Sequence, residues 1–579
     1  MRNEFPQLGV LQKALKPGSL CLINRLNQYL FSSLCEEDND LGDLVDFKGS
    51  AGYLTVGPKK VILWLDGRYW ESHKHLYKGS FIECHPSLGE QALRQYLKQG
   101  YLEAEGQVLR KIFCNTSKWS ALDIERFRRV VPRVEWEDKN FSEENKKPVL
   151  NRGLVRVDES ISGETSEKRL KRVQNHIRDN RLHFICNPDD ISWLLNIRAN
   201  DFPYKRNVKG LVLVAKHYAA LFTDIDKKKQ EELQAHSPGW LIISKESTWK
   251  KAIQKLMDEY REIRLEVEFH RRPGSLNQAD YKFLTELFPG RRLIRRKRSL
   301  VELGRIDKNP HELQSMENSG TCLSKVMQLV IEWVKTQVKE GKKVDEQAVK
   351  KQVLKVAKSH GATRACFPPI VASGEHSTSP HHMYGNRMIE EGDMVMMDIG
   401  FYFNESAYST DMTRSFCVSE SPTQNQKSVY TSLLKAFLLQ WNQHFKQGEL
   451  SARDLDQIGR ASLASTEREG YAFCHSTGHG VGIVDHELAI SISSKSKMIL
   501  RPNFVYSIEP GCYANEKIKG ERFGIRIEDV VVVVETENDN LTHKSLAPCP
   551  FETNLIDFKD WSPLDQERYD AYQKQFKKT

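Results

Sequence analysis

No CxxC pair occurs anywhere in the 579 residues, and the eleven cysteines are odd in number and scattered from Cys21 to Cys549. That pattern argues against a disulfide framework and for reduced thiols in an intracellular protein. No stretch reaches the apolar length that a membrane span needs. The N-terminal MRNEFPQLGVLQKALKPGSL has neither the basic start, the apolar core nor the small-residue cleavage site of a signal peptide. These absences predict a cytoplasmic chain with no membrane partner. A strong excess of one charge is also missing, since a formal net charge of +9 is modest for this length. The densest basic run, GRRLIRRKRSLVELGR from Gly290 to Arg305, has no RNA-binding aromatic signature beside it. It reads as a solvated surface or interdomain connector, and no nucleic-acid partner is expected.

An apolar fraction of 39% with 28% charged residues fits a soluble globular protein. A chain this long should form more than one domain, because single hydrophobic cores seldom grow so large. Near the start, Tyr53 to Val56 and Val61 to Leu65 flank a Gly-Pro-Lys-Lys turn and read as a β-hairpin ending at Asp66 and Gly67. The pattern recurs where Leu211 to Val214 and Ala219 to Phe222 flank a short turn and end at Asp224. Each is followed by a charged, helix-compatible segment, so two related α/β domains in tandem are expected, with Ser142 to Ser160 as their boundary. A third domain begins after the basic run. There Leu323, Val326, Met327, Val330, Trp333 and Val334 repeat at helical spacing, and VDEQAVKKQVLKVAKSHG follows as a second amphipathic helix.

From Met394 onward the pattern turns to strands that carry acid. Asp398 interrupts the apolar run MVMMDIGFYF, and Asp411 lies in AYSTDMTRSF beside Thr413 and Arg414. Glu509 ends the run FVYSIEPG, and FGIRIED alternates Ile525 and Ile527 on one face with Arg526 and Glu528 on the other. Acidic residues are depleted in strands, and burying an ionised carboxylate without a partner is very costly. One of the four could pair with Arg414 or Arg526; all four need positive charge from elsewhere, which two divalent cations would balance. The stretch CHSTGHGVGIVDHE adds His475, His479 and His486 among glycines that disfavour a helix. His479 is then the natural nitrogen ligand. Carboxylates with one imidazole suit manganese, cobalt or zinc without choosing among them. The plainer alternative is an acidic sheet edge, solvated or paired with arginines.

MMDIG, STDMTR, HSTGHGVG, SIEPG and GIRIED, in this order, resemble the five metal-ligand motifs of the pita-bread metallopeptidases. That family includes methionine aminopeptidase, prolidase, creatinase and aminopeptidase P. FKGSAGYLTV with LWLDGRYW, and ISWLLNIRANDFPYKRNVKG, resemble signatures of the two N-terminal domains of the long, three-domain aminopeptidase P. PFETNLIDFKDWSPLDQERYDAYQKQF resembles that subfamily's C-terminal extension. The resemblance implies an α/β (α+β) chain: a creatinase-like N-terminal domain over 1–155, a second over 156–303, a pita-bread catalytic domain over 304–540 and the extension over 541–579.

It implies that Asp398 chelates one metal, that Asp411 and Glu528 bridge both, and that His479 and Glu509 complete the second. The expected nucleophile is a hydroxide shared by two divalent ions per subunit, with manganese expected and zinc or cobalt as alternatives. Glu509 is the expected proton shuttle. His486 and His381 match substrate-side histidines, with His382 the alternative to His381; His475 matches one near the proline-binding side, and Arg526 is placed to orient a metal carboxylate. The reaction implied is removal of the N-terminal residue from Xaa-Pro peptides by a homodimer. Prolidase, acting on Xaa-Pro dipeptides, and a non-catalytic peptide- or protein-binding module are the alternatives. Three departures from the family pattern bear on the pocket: a longer connection over 399–410, a shorter one over 480–485, and the pair His381-His382 where the family has His-Tyr.

Overall fold

The computed structural model describes residues 5–576, apart from 29–38, 48, 50, 67–68, 71–72, 74–75, 88–89, 142–152, 236, 260–265, 271–275, 289–292, 297–298, 383–384, 405 and 537–538. Residues 142–152 of the boundary segment Ser142 to Ser160 and parts of the basic run therefore lie outside the described residues. The chain divides into two compact units, one of Met1–Glu159 with Glu164–Leu303 and one of Ser160–Gly163 with Gly304–Thr579.

The first unit holds two sheets built alike. Strands β1 (Ser19–Asn24), β2 (Gly52–Val56), β3 (Val61–Asp66), β4 (Ile82–Ser87), β5 (Lys111–Cys114) and β6 (Glu135–Asp138) lie in the order 4-3-2-1-5-6. Strands β7 (Arg181–Ile185), β8 (Leu211–Ala215), β9 (Tyr218–Phe222), β10 (Leu241–Ser244), β11 (Glu266–His270) and β12 (Leu293–Arg296) lie in the order 10-9-8-7-11-12. In both sheets the first three strands form an antiparallel meander and the outer strands add in parallel. The two hairpins expected from the sequence are the centres of these sheets, pairing Gly52 with Leu65 and Leu211 with Phe222. The central strands of each sheet are buried, as sheets covered by helices require, while the edge strand Glu135–Asp138 is largely exposed.

In the second unit, helix α1 (Pro310–Lys339) begins at a capping box in which Asn309 and Glu312 satisfy each other's backbone amides, with Pro310 as its first residue. Its apolar stripe and that of α2 (Glu346–Ser359) bury against the sheet as the spacing predicts. Strands β13 (Ile370–Ser373), β14 (Met394–Ile399), β15 (Met412–Cys417), β16 (Gly478–Gly480), β17 (Glu487–Ile492), β18 (Val505–Ile508) and β19 (Glu528–Glu535) take the order 13-14-15-19-18-16-17 in a nine-stranded sheet. Helices α3 (Gln424–Trp441) and α4 (Ala452–Arg468) contribute to the second core of this unit. At its end, α5 (Pro563–Phe576) buries Tyr572, whose hydroxyl bonds to Asp529 Oδ2 at 2.5 Å.

Candidate active site

Register brings the acids together. Asp398 on β14 pairs with Thr413 on β15, and Thr413 pairs with Glu528 on β19, so three adjacent strands form one cross-strand row. Asp411 precedes β15 by one residue, two positions before Thr413, and so shares its face. Ile508 on β18 pairs with Asp529, which sets the next residue, Glu509, beside Glu528. His479 sits at the middle of β16, between glycines that a close strand approach demands. A Cβ on Gly478 would lie 1.9 Å from the Ser507 carbonyl oxygen, and one on Gly480 would lie 2.7 Å from that of Glu487. The glycines noted in the sequence thus hold a strand, not a loose loop.

Ligand atoms of Asp398, Asp411 and Glu528 lie within 4.8 Å of one another, and so do those of His479, Glu509 and Glu528. His479 Nε2 is 3.1 Å from Glu509 Oε1 and 3.8 Å from Asp411 Oδ2. Its Nδ1 is 3.2 Å from the Gly480 carbonyl, to which it donates, so the other nitrogen is directed at the acids. Around this cluster Thr413 Oγ1 donates to Glu528 Oε2 at 2.7 Å, Ser507 Oγ to Glu509 Oε1 at 3.2 Å, and Arg526 Nη2 to Asp398 Oδ2 at 2.6 Å.

Charge on this face is crowded. Burial pushes Asp411 well above the usual carboxylate range, with Glu528 and Asp398 adding to the push. Burial likewise raises Glu528, helped by Glu509 and Asp398, and raises Asp398 despite Arg526. Against its own burial, Glu509 is held at about 2 by the hydrogen bond and charge of His479, and His479 is raised to about 9 by the same contact. Asp398 Oδ1 is buried with no hydrogen-bond partner among the described residues. Three acids that cannot all ionise unaided, an orphaned carboxylate oxygen and an imidazole aimed among them fit a pair of divalent cations. The acidic-edge alternative does not fit a row that is 2–7% exposed.

The remaining candidates divide. His486 is exposed and stacks on His479 with ring centres 3.6 Å apart, at the outer edge of the cluster. His475 is engaged on both nitrogens, Nε2 with the Tyr513 hydroxyl at 2.8 Å and Nδ1 with the Ser476 carbonyl at 2.8 Å; burial lowers it to about 4. Arg526 also reaches Tyr513 Oη at 2.8 Å, Thr413 Oγ1 at 3.1 Å and the Pro380 carbonyl at 3.2 Å. The His381-His382 pair splits: His381 is half-buried beside Pro380, whereas His382 turns inward toward Glu346. Arg414 does not meet the cluster; its Nη2 pairs with Asp529 Oδ1 at 2.7 Å on the opposite face of β19. Sequence reasoning missed Tyr513, which joins His475 to Arg526, although alternation through Gly511–Ala514 marks Gly511 and Tyr513 as sharing a face. It also missed Glu346 and His376, for which no local pattern was available.

The model of metallopeptidase family M24 matches residues 314–535, and that of the creatinase/prolidase N-terminal domain matches 145–312. The chain is 32% identical over 297 residues to the Xaa-Pro dipeptidase of Pyrococcus horikoshii, covering 50% of this chain and 77% of that one. It belongs to metallopeptidase family M24. Over nearly its whole length it is similar to Xaa-Pro aminopeptidase app-1 of Caenorhabditis elegans, 25% identical across 94% of this chain and 88% of the relative. The crystal structure of X-prolyl aminopeptidase from Caenorhabditis elegans, described as a cytosolic enzyme with a di-nuclear active site, superimposes with a TM-score of 0.84 at 22% identity, covering 99% of this chain and 96% of that one. The fold is accordingly two creatinase-like α/β domains followed by a pita-bread domain.

Proposed function

We propose that this chain is a metal-dependent aminopeptidase that hydrolyses the N-terminal Xaa-Pro bond of peptides. The observation that carries the proposal is the convergence of Asp398, Asp411, His479, Glu509 and Glu528 from five separate segments onto one buried face. Those five side chains would hold two divalent ions. Bound there, the ions would lower the pKa of a bound water and stabilise the negative charge that develops on oxygen during attack.

The chain's own residues supply the rest. Glu509, held ionised beside His479, accepts a proton and passes it to the departing nitrogen. Arg526 fixes Asp398 by a charge-assisted bond and is itself held by Thr413 and Tyr513. His475, with both nitrogens occupied, positions Tyr513 and through it Arg526; this favours a supporting role over the substrate contact expected from the sequence. His486 and His381, at the accessible rim, are the side chains placed to meet the peptide. Proline presents a tertiary amide without N–H and a fixed ring, so a site that positions this bond supplies what an ordinary aminopeptidase lacks.

Likeness along 94% of the chain to an Xaa-Pro aminopeptidase, against 50% for an Xaa-Pro dipeptidase, favours the aminopeptidase over prolidase. Likeness to the family leads us to expect manganese, with zinc or cobalt as the alternatives the ligand set also suits. Cytosolic residence, as stated for the nematode enzyme, and a homodimer complete the reading. The test uses metal-stripped protein with and without manganese on an Xaa-Pro-Pro tripeptide and an Xaa-Pro dipeptide. Manganese-dependent release from the tripeptide, reduced by about 10²–10⁴-fold in Glu509→Gln, is expected. Preference for the dipeptide would assign prolidase, and no cleavage by folded protein under any metal would favour a binding module.

A further inference from the structure

A second group of metal-type donors shares no residue with the catalytic cluster. Ligand atoms of Glu346, His376 and His382 lie within 4.8 Å of one another. Glu346 opens α2 with a side chain that is fully buried, and the Ser373 amide and hydroxyl fix its Oε1 at 2.7 and 2.9 Å. His376 Nδ1 faces both carboxylate oxygens at 3.1 and 3.0 Å. His382 is 7% exposed, and its Nε2 lies 3.6 Å from Glu346 Oε2. That is too far for a hydrogen bond, and the nitrogen has no hydrogen-bond partner among the described residues. The two imidazoles stack with ring centres 4.3 Å apart, so both rings present edges to the same carboxylate. In front of the donors stands Gly385. A Cβ there would lie 1.8 Å from Glu346 Oε2 and 3.0 Å from His382 Nε2, so only glycine lets the backbone approach the donors this closely.

We propose that Glu346, His376 and His382 bind a zinc-class divalent transition-metal ion, at a site distinct from the carboxylate-rich catalytic cluster. Two imidazoles and one carboxylate are a ligand set of three-protein-ligand zinc sites, with water in the fourth position. Imidazole favours zinc, copper, iron or nickel over the harder ions that suit an all-carboxylate cluster. A purely hydrogen-bonded trio explains Glu346 and His376 but leaves His382 Nε2 buried and unmet, a cost that a metal bond removes. Ser373 supplies the outer-shell bonds that orient the carboxylate. Glu346 and His382 are sealed, while His376 is one-third exposed and gives the ion a route in from solvent.

The position has a consequence for the active face. The segment from His376 to His382 also carries His381 and Pro380, and the Pro380 carbonyl accepts from the arginine that holds Asp398. An ion at Glu346, His376 and His382 would brace that segment from behind.

The measurement is metal content of the full chain, stripped with chelator, reloaded with zinc and freed of excess by gel filtration. The native chain is expected to retain one equivalent more than His382→Phe and than His376→Asn, with circular dichroism and melting curves confirming that each variant is folded. Equal content in native protein and a folded variant would overturn the proposal. Because a variant could empty the catalytic cluster indirectly, zinc-edge anomalous diffraction on native crystals supplies the second readout. A peak within coordination distance of Glu346, His376 and His382 supports the site, and density confined to the catalytic cluster refutes it.

Discussion

Arg169 and Arg198 in the N-terminal unit are 1% and 2% exposed, and each donates to oxygens around it: the Trp193 carbonyl and Asn196 Oδ1 for the first, whose Nε also lies 3.6 Å from Glu164 Oε2, and the Ser192 and Ile197 carbonyls for the second. Arg169 also lies 4.0 Å above the Trp193 ring. Asp398, Asp411 and Glu528 in the catalytic unit are 7%, 4% and 2% exposed and face one another, with Arg526 bonded to Asp398 at their side. The same contrast recurs within one strand. Glu528 points into the acid cluster, while its neighbour Asp529 points the other way into Arg414, Ser545 and Tyr572. Buried charge that serves the fold is matched by the protein itself; buried charge left to a ligand is matched only in part, and stability is given up where function needs it.

Breaking the matched side should cost most. Arg414→Ala strands Asp529 without its guanidinium and removes bonds to four backbone carbonyls, and should destabilise by about 3–5 kcal/mol in chemical denaturation. Acid should reach the same region next. His543, 2% exposed, donates from Nδ1 to the Trp441 carbonyl and accepts at Nε2 from the Tyr506 hydroxyl, a neutral imidazole whose burial lowers its pKa from 6.5 to about 4. Between those values the unfolded chain binds the extra proton. The stability is therefore complete above pH 6.5 and is lost as pH falls toward 4, by about 3 kcal/mol. Denaturation midpoints across this range should show a slope that His543→Gln flattens.

Tyr572→Phe tests whether the C-terminal helix is fastened to the matched side. Loss of the hydroxyl that meets Asp529, the Cys549 amide and Arg414 should cost about 1–3 kcal/mol with little change in peptide cleavage. The unmatched side should behave in reverse. In metal-stripped protein Asp411→Asn relieves like-charge crowding and should stabilise by about 1 kcal/mol, read as a higher melting temperature, while abolishing activity on reloading. A destabilising Asp411→Asn would mean that the acids are already compensated, and the contrast between the two faces would fail.

Strand and helix patterns were legible where burial repeats locally. Both N-terminal hairpins, the stripe from Leu323 to Val334 and the alternation of Arg526 and Glu528 could be read from the chain because period and face depend on neighbours in sequence. The five acid and histidine positions were legible for a different reason, since each sits in a short, chemically unusual stretch whose order along the chain is itself informative. Folding decided what depends on partners far away. Arg414 could have met the cluster, and only the pairing of β15 with β19 sends it to Asp529, 115 residues on. Of two adjacent histidines, His382 turned inward because Glu346, 36 positions earlier, is held by Ser373 exactly where that ring packs, leaving His381 at the rim. Tyr513, His475 and Arg526 became one network only when strands brought them within hydrogen-bond reach. The sequence determined which chemistry the chain carries; which side chain faces which was settled by long-range packing, because a strand's pleat fixes two faces but not what lies across from them.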